Sequence, residues 1–426
     1  MTSLFKCVRC GNTVQASAEF RCGCGGLFEV HHEQKIIQKK VFGNRTIHIS
    51  FPYNSGVWRY KELIHPDIDN KWIVSRPEGN TNQYKHRLLC DYSGLEKLSF
   101  KHEGENPTGS FKDRGMTVAL SEANRLRAST VACASTGNTS ASMAAYAAQA
   151  GMKALVFIPE GEISYGKLSQ AIAYGAHVIQ VKGSFDDAML LVEKTCRELD
   201  IYLLNSINPW RIEGQKSIIF ELLQQRKWAI PNWIIVPAGN LGNTSAFGKA
   251  LVEANQIGII NKLPRIASIQ AEGANPFYKL YKSNTNTLNP VDAHTIASAI
   301  KIGNPVSWEK AIKVIKETNG VVEQVSDQEI MDAKGVIDRS GIGCEPASAA
   351  SLAGVRKLCE AGVINSQEDV VCILTGNLLK DSESTIHYHM GELKGITPKH
   401  ANKPVYLDPK DGDMLTALKK LTALTQ

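Results

Sequence analysis

One lysine, Lys112, stands one residue after the turn-forming run Asn-Pro-Thr-Gly-Ser in the stretch HEGENPTGSFKDRG (102–115) and opens a helical pattern. On an exposed helix a lysine is a solvated charge. Seated at a loop-to-helix junction between anion-binding loops, its amine has its pKa lowered by burial and is free to attack a carbonyl and form a Schiff base. Two loops of the required kind are present. PAGNLGNTSAFGKA (237–250) is a glycine-rich turn entering a helix, so its backbone amides and the positive end of the helix dipole make a phosphate cradle. It is no nucleotide P-loop, because five residues separate Gly242 from Gly248 and Ala250 follows Lys249, and it fails the dinucleotide spacing as well. A small monophosphate remains. CASTGNTS (133–140) precedes an Ala-rich helix and adds donors from Ser135, Thr136, Asn138 and Thr139, a set suited to a carboxylate. Taken singly, the first loop is equally a tight turn and the second an ordinary N-cap. With Lys112 between them, the two anion sites call for a cofactor bearing both an aldehyde and a monophosphate, which is pyridoxal 5'-phosphate.

A second cluster lies at the N-terminus. Cys7-x-x-Cys10 and Cys22-x-Cys24 form two knuckles about a dozen residues apart, the pattern of a zinc ribbon in which four thiolates surround one tetrahedral ion. The second knuckle has one intervening residue where two are usual, so a reduced ribbon without metal stays open beside a structural zinc site. His31 and His32, close by in sequence, are expected to face solvent. The other six of the ten cysteines are scattered singly among apolar stretches and read as small hydrophobes.

The elements that must position these residues are legible in the hydrophobic pattern. Strand candidates are 154–159, 177–181, 201–206, 233–239, 266–273 and 370–376, short, apolar on both faces and bounded by Gly, Pro or Asn. Helix candidates at 140–150, 184–199 and 212–228 alternate with them, which predicts an α/β fold with largely parallel sheets. In such sheets ligands lie beyond the carboxyl ends of the strands, where both loops above and a third, TGNLLKD (375–381), are found. The tail beyond about 383 reads as an extended stretch followed by a short amphipathic helix. A net charge of +6 spread over 48 basic and 42 acidic residues, with no long run of one sign, argues against nucleic acid or membrane partners. No stretch is long and apolar enough for a membrane span or a secretory signal, so a cytoplasmic protein is expected.

From about residue 52 to 385 the chain resembles the threonine synthases, pyridoxal-phosphate enzymes of the tryptophan synthase β-subunit-like fold (fold type II). The resemblance rests on the ordered set ENPTGSFKDRG, ASTGNTSASMAAYAAQAG, NSINPWRIEGQKS, IQAEGANPFY, AIKIGNPVSW, EPASAASLAGVRKL and LTGNLLKD. It implies two open, twisted, mainly parallel sheets with flanking helices, beside the small Cys-rich ribbon. Segments 34–127 and 207–385 would form the large cofactor-binding domain, 128–206 the small domain, 1–33 the ribbon and 386–426 a C-terminal extension. Lys112 would carry the cofactor as a Schiff base with Phe111 packed near it. Gly239, Asn240, Leu241, Gly242 and Asn243 would hold the cofactor phosphate, Asn138 the ring hydroxyl and Thr375, a neutral partner, the ring nitrogen. The family substrate is O-phospho-L-homoserine. Its carboxylate would meet the 135–139 loop (Ser135, Thr136, Asn138, Thr139), and its phosphate would meet Thr139, Asn205, Ser206 and Arg211, since a guanidinium with flanking donors binds phosphate directionally. The implied reaction is γ-elimination of phosphate and β-addition of water to give threonine, in a homodimer. Two other readings compete. One is a related pyridoxal-phosphate lyase such as a threonine or serine dehydratase, which needs no second phosphate site. The other is a zinc-ribbon protein that binds nucleic acid or protein, with the α/β body as a scaffold.

Overall fold

The computed structural model describes residues 3–33, 36–46, 50–160, 165–183, 185–407 and 414–423. An N-terminal antiparallel sheet comprises β1 (Leu4–Cys7), β2 (Thr13–Gln15) and β3 (Phe28–His31) in the order β2-β1-β3. The chain then gives β4 (Gln83–Tyr84) and β5 (Lys97–His102), followed by β6 (Thr130–Ala134), β7 (Lys153–Pro159), β8 (His177–Val181) and β9 (Tyr202–Leu203). It returns through β10 (Trp233–Pro237), β11 (Arg265–Ala271), β12 (Val321–Val325) and β13 (Asp369–Leu374). The larger sheet runs β12-β11-β10-β13-β5-β4 and is parallel except for the edge strand β4; the smaller runs β8-β7-β6-β9 and is parallel throughout. This is the expected α/β architecture of two mainly parallel open sheets with a ribbon. β10, WIIVP, is buried at every position, as a strand covered by helices on both faces must be.

The strand order, more than any single strand, builds the site. β10, β13 and β5 are adjacent and in parallel register, with Leu374 opposite His102, so their three carboxyl-end loops emerge side by side at the roughly 5 Å spacing of neighbouring strands. Those loops carry the glycine-rich turn, Thr375 and Lys112. β6 delivers the Ser135–Thr139 loop from the other sheet.

Several expectations are corrected. The strand expected over 201–206 narrows to Tyr202–Leu203 because a side chain supplies the next rungs. The Leu204 amide bonds Ala132 O at 2.8 Å, and the Asn205 carboxamide then accepts from Ala134 N and donates to Ala134 O at 2.9 and 3.0 Å. β5, KLSFKH, was absent from the apolar runs because it carries Lys97 and Lys101, yet Lys101 is fully buried against Glu221 at 2.6 Å. β6 and β12 were likewise absent from those runs. The tail does not run extended from 383: Asp381 caps a helix, Ser382–Met390, by accepting from the Ser384 amide at 3.3 Å. Its Tyr388 hydroxyl donates to Asp332 at 2.9 Å, pinning it to the helix Asp327–Arg339. The short terminal helix is present at Met414–Ala423. Ser184, first residue of one expected helix, lies outside the described residues. His31 is exposed as expected, but the His32 ring is buried, its Nε2 3.1 Å from Glu213. Burial pushes the His32 pKa down to about 4, so at neutral pH it is an uncharged ring donating to that carboxylate.

One helix crossing requires glycine. Lys112–Arg125 packs on Pro209–Gln225 so closely that a Cβ on Gly214 would sit 1.9 Å from the Arg114 carbonyl oxygen, and Gly115 faces it across the contact. Lys112 and Arg211 each stand three residues before their glycine, on the same helical face. The expected outcome of Gly214→Ala is a loss of about 3 kcal/mol or more in stability, read by urea denaturation, because backbone rather than a movable side chain blocks the methyl.

Candidate active site

The loop before Lys112 is held from both ends. Gly109, at φ +83°, closes a turn onto Asn106 O at 2.7 Å, and the Thr108 amide and hydroxyl both donate to Asp113, at 2.7 and 2.6 Å. The Phe111 amide donates to Thr375 O at 3.0 Å, tying the β5 loop to the β13 loop. Lys112 is thus presented at the first position of its helix, its Nζ 4.1 Å from the centroid of the Phe111 ring. By surface area its side chain is partly open, but protein surrounds its amine. Burial, then the neighbouring Arg211 charge, bring its pKa down to about 7, with Glu345 opposing. Such an amine is largely available as a nucleophile and proton acceptor near neutral pH.

Arg211 lies across the glycine crossing, 3% exposed. Its Nη1 donates to Leu204 O at 3.1 Å, its Nε has no partner, and none of the described carboxylates pairs with it. Burial lowers its pKa only to about 10, so it stays charged. An unpaired buried guanidinium is a site awaiting an anion. Ser206, Ser135, Thr136 and Thr139 are partly exposed at the cleft rim. Asn205 is different. Both ends of its carboxamide are spent on Ala134, so it anchors the rim against β6 and does not present free donors.

After β10, residues Gly239, Asn240 and Leu241 lead into the helix Gly242–Gln256, with Leu241 in the left-handed conformation at φ +64°. The first amides of a helix have no intrahelical acceptor, and here that end is buried at Asn243 and Thr244. Around it the buried side-chain oxygens of Asn243, Gln215 and Ser307 have no hydrogen-bond partner. Gln215 Oε1 approaches within 3.3 Å of the place a Cβ on Gly242 would occupy, while the Ser307 amide donates to Asn240 O at 3.4 Å. A carboxamide can turn either end to a ligand, so the set fits a small phosphate well.

Between cradle and lysine lie the remaining groups. Asn138 and Thr375 come together on one carboxylate: Asn138 Nδ2 donates to Glu345 Oε2 at 2.9 Å and Thr375 Oγ1 to Glu345 Oε1 at 3.3 Å. Burial raises the Glu345 pKa, against the pull of Asn138, Lys380, Lys112 and Thr375. Lys380, its own pKa lowered by burial, reaches from the same β13 loop to Gln170 of the helix Tyr165–Ala173. Sequence reasoning missed Glu345, Gln215 and Lys380. Glu345 precedes a proline at a helix start, where an acidic residue ordinarily serves the dipole. The cradle, the half-neutral lysine and the polar side chains of Asn138 and Thr375 together suit a phosphorylated aromatic aldehyde.

The four N-terminal cysteines also converge. Cys7, Cys10, Cys22 and Cys24 place their sulfurs within 4.8 Å of one another, with Cys7 to Cys24 at 3.5 Å and Cys10 to Cys22 at 3.6 Å. Thiolates about 2.3 Å from a tetrahedral ion stand roughly 3.8 Å apart, so the shorter second knuckle does not spoil the geometry. The ribbon is fastened to the site: Lys249 of the cradle helix donates to Val30 O and Glu213, and Glu213 lies two residues beyond Arg211.

The family described as pyridoxal-phosphate dependent enzyme matches residues 74–376. Threonine synthase of Methanocaldococcus jannaschii is 47% identical over 386 residues, spanning 90% of this chain and 94% of the relative. Threonine synthase 2, chloroplastic, of Arabidopsis thaliana is 40% identical over 416 residues, 94% of this chain and 81% of the relative. Among solved structures, threonine synthase from Escherichia coli superposes with a TM-score of 0.70 at 19% identity, over 99% of this chain and 100% of that one, a likeness of fold.

The lysine's burial has a measurable sign. With its amine near pH 7 folded and at the ordinary 10.5 unfolded, folding bears the full cost of a buried ammonium below pH 7, and the cost shrinks as pH climbs from 7 to 10.5. Lys112→Met therefore raises the melting temperature of the cofactor-free chain most in mildly acidic buffer, and the gain fades towards pH 10.5. Equal gains at both ends of that range would show the amine to be solvated.

Proposed function

The chain belongs to the pyridoxal-phosphate-dependent enzymes and, within them, to the threonine synthases. From that premise we propose that Lys112 carries the cofactor and Arg211 the substrate's phosphate while O-phospho-L-homoserine and water become L-threonine and phosphate. The observation that carries this assignment is the glycine crossing, which sets a near-neutral amine and an unpaired guanidinium on facing helices. Gly239 to Asn243 hold the cofactor phosphate through the helix amides, with Gln215 as an added polar neighbour. Asn138 faces the ring hydroxyl and Thr375 the ring nitrogen. When bound, pyridoxal phosphate supplies an aldehyde for the substrate amine and a ring that spreads the electron pairs released beside it.

Everything else falls to the chain's own residues. The donors of Ser135, Thr136 and Thr139 fix the α-carboxylate, which orients the α-hydrogen towards Lys112. The Lys112 amine, half neutral near pH 7, takes the α-proton and hands it on before taking a β-proton, which it returns at the γ-carbon after phosphate departs. The α-hydrogen is restored when water adds at the β-carbon and leaves its spare proton on the phosphate. Arg211, Thr139 and Ser206 hold that phosphate and offset the charge growing on its bridging oxygen. Retained there, the phosphate is positioned to orient or deprotonate the water that adds at the β-carbon. A dehydratase has no use for this second anion site.

The cysteine ribbon is assigned a structural zinc, supported by the sulfur spacing. Among the described residues no helix is long and apolar enough to cross a membrane. A homodimer in the cytoplasm is the arrangement usual in the family this chain resembles, and sedimentation tests the dimer.

The expected outcome of incubation with phosphohomoserine is threonine and phosphate in equal amounts, with no turnover of threonine to a keto acid. Lys112→Ala abolishes both this and the absorption band near the visible edge. Arg211→Ala keeps the band and loses roughly 100-fold in kcat/KM, about 3 kcal/mol of charge-assisted bonding. An Arg211→Ala enzyme as efficient as the parent would remove the phosphate subsite. Metal analysis of the purified chain should return one zinc per ribbon, lost in Cys7→Ser with Cys10→Ser, and a metal-free native chain would refute the zinc assignment.

A further inference from the structure

Glu345 is a buried acid beside Lys112, Asn138 and Thr375 to which no role has been given, and the hydrogen bonds around it fix the direction of a proton. Ser348 Oγ accepts two backbone N–H groups, from Thr375 at 2.9 Å and Gly376 at 3.0 Å. A hydroxyl oxygen has two lone pairs, so both are occupied. Ser348 Oγ also lies 2.9 Å from Thr375 Oγ1, and in that contact it can only donate. The Gly376 carbonyl oxygen is a second acceptor for that hydrogen, but at 3.4 Å it is the more distant one, so Thr375 Oγ1 receives the Ser348 hydrogen and its own hydroxyl hydrogen points elsewhere. The acceptor beside it is Glu345 Oε1, at 3.3 Å. The other carboxylate oxygen is held by Asn138, so the acid cannot swing away without breaking that bond. Gly376 reinforces the geometry, since a Cβ there would lie 2.4 Å from the Glu345 carboxyl carbon.

We propose that Glu345 shares one proton with the cofactor's ring nitrogen through the Thr375 hydroxyl. The inference rests on the placing of Thr375 against that nitrogen, and it revises the expectation that a threonine makes the partner simply neutral. With Glu345 ionised, Thr375 donates to it and turns a lone pair to the ring, matching a protonated nitrogen. With Glu345 protonated, the carboxyl donates to Thr375 and the threonine hydrogen is released towards an unprotonated nitrogen. Passing from the first state to the second, the ring nitrogen loses its N–H bond to the Thr375 oxygen, that oxygen gives up its former hydrogen, and the Glu345 oxygen gains an O–H bond; the return reverses each change. No electron is transferred and the total charge is constant. The groups facing Glu345 are Lys112 from the lysine helix and Lys380 from the β13 loop, with the Cys344 thiol as its chain neighbour. Asp113 faces Lys380 in turn, and Arg211 faces Lys112. Burial pushes the Glu345 carboxyl up, which favours its holding a proton. The site could then strengthen its electron sink when charge flows into the ring and relax it afterwards.

The test is the resonance of a ¹⁵N-labelled cofactor ring in the holoenzyme, with the parent, Glu345→Gln, Thr375→Val and Ser348→Ala compared by their absorption bands as well. In the parent the resonance is expected to move towards the protonated position when a substrate analogue is bound. In Glu345→Gln and in Thr375→Val it is expected to stay at the unprotonated position throughout, and in Ser348→Ala to shift part of the way. Turnover by Glu345→Gln should fall about 100-fold with KM little changed. A ring nitrogen with the same resonance in parent and Glu345→Gln overturns the relay even if activity falls, since a merely structural acid would leave that signal alone. Should Glu345→Gln fail to fold, the Thr375→Val and Ser348→Ala spectra decide. Absence of the near-visible band in the parent would instead sink the cofactor assignment beneath it.

Discussion

The structure is organised around a buried guanidinium with no acid beside it. Four other buried cations are each paired with an acid. Lys101 meets Glu221, Arg114 meets Glu103 and Glu221, Lys216 meets Glu213 and Glu253, and Lys334 meets Asp338, all within 3 Å. Arg211 is left with one backbone carbonyl, and the lysine nearest it in charge is driven to about pH 7. Burying a charge unpaired costs several kcal/mol, which an incoming anion returns. The same penalty that destabilises the cleft makes it selective for doubly anionic ligands and tunes Lys112 for chemistry.

The stability to hold that conflict lies one layer below. Arg114, two residues after Lys112, is fully buried and clamps Glu103 before the loop and Glu221 on the arginine helix. Thr81 and Lys101 complete the set. Removing one partner of such a network costs about 3–5 kcal/mol. The β5 loop is therefore rigid for reasons unrelated to any ligand, and Lys112 inherits that rigidity through Asp113.

How far this could be read in the sequence depended on the distance between partners. The glycine-rich turn and the Asn-Pro-Thr-Gly-Ser run announce themselves because backbone geometry demands those residues locally. The parallel sheets were legible where strands are wholly apolar, and illegible at β5, where the charge on Lys101 is answered by Glu221, 120 residues away. His32 seemed a surface residue because its partner, Glu213, is 181 residues distant. Glu345 is cryptic for the same reason. Its partner Asn138 lies 207 residues back, and on its own it resembles any acid opening a helix.

Glu213 binds more than its own helix. It receives His32 of the ribbon, Lys216 of the arginine helix and Lys249 of the cradle helix, so three parts of the chain converge on one carboxylate. The ribbon is thereby stitched to the helices that carry Arg211 and Lys249. Trimming the ribbon to obtain a leaner body would not be a neutral edit: it would strip Lys249 of the Val30 carbonyl and Glu213 of its imidazole, and slacken two helices, the one that carries Arg211 and the one that follows the glycine-rich turn.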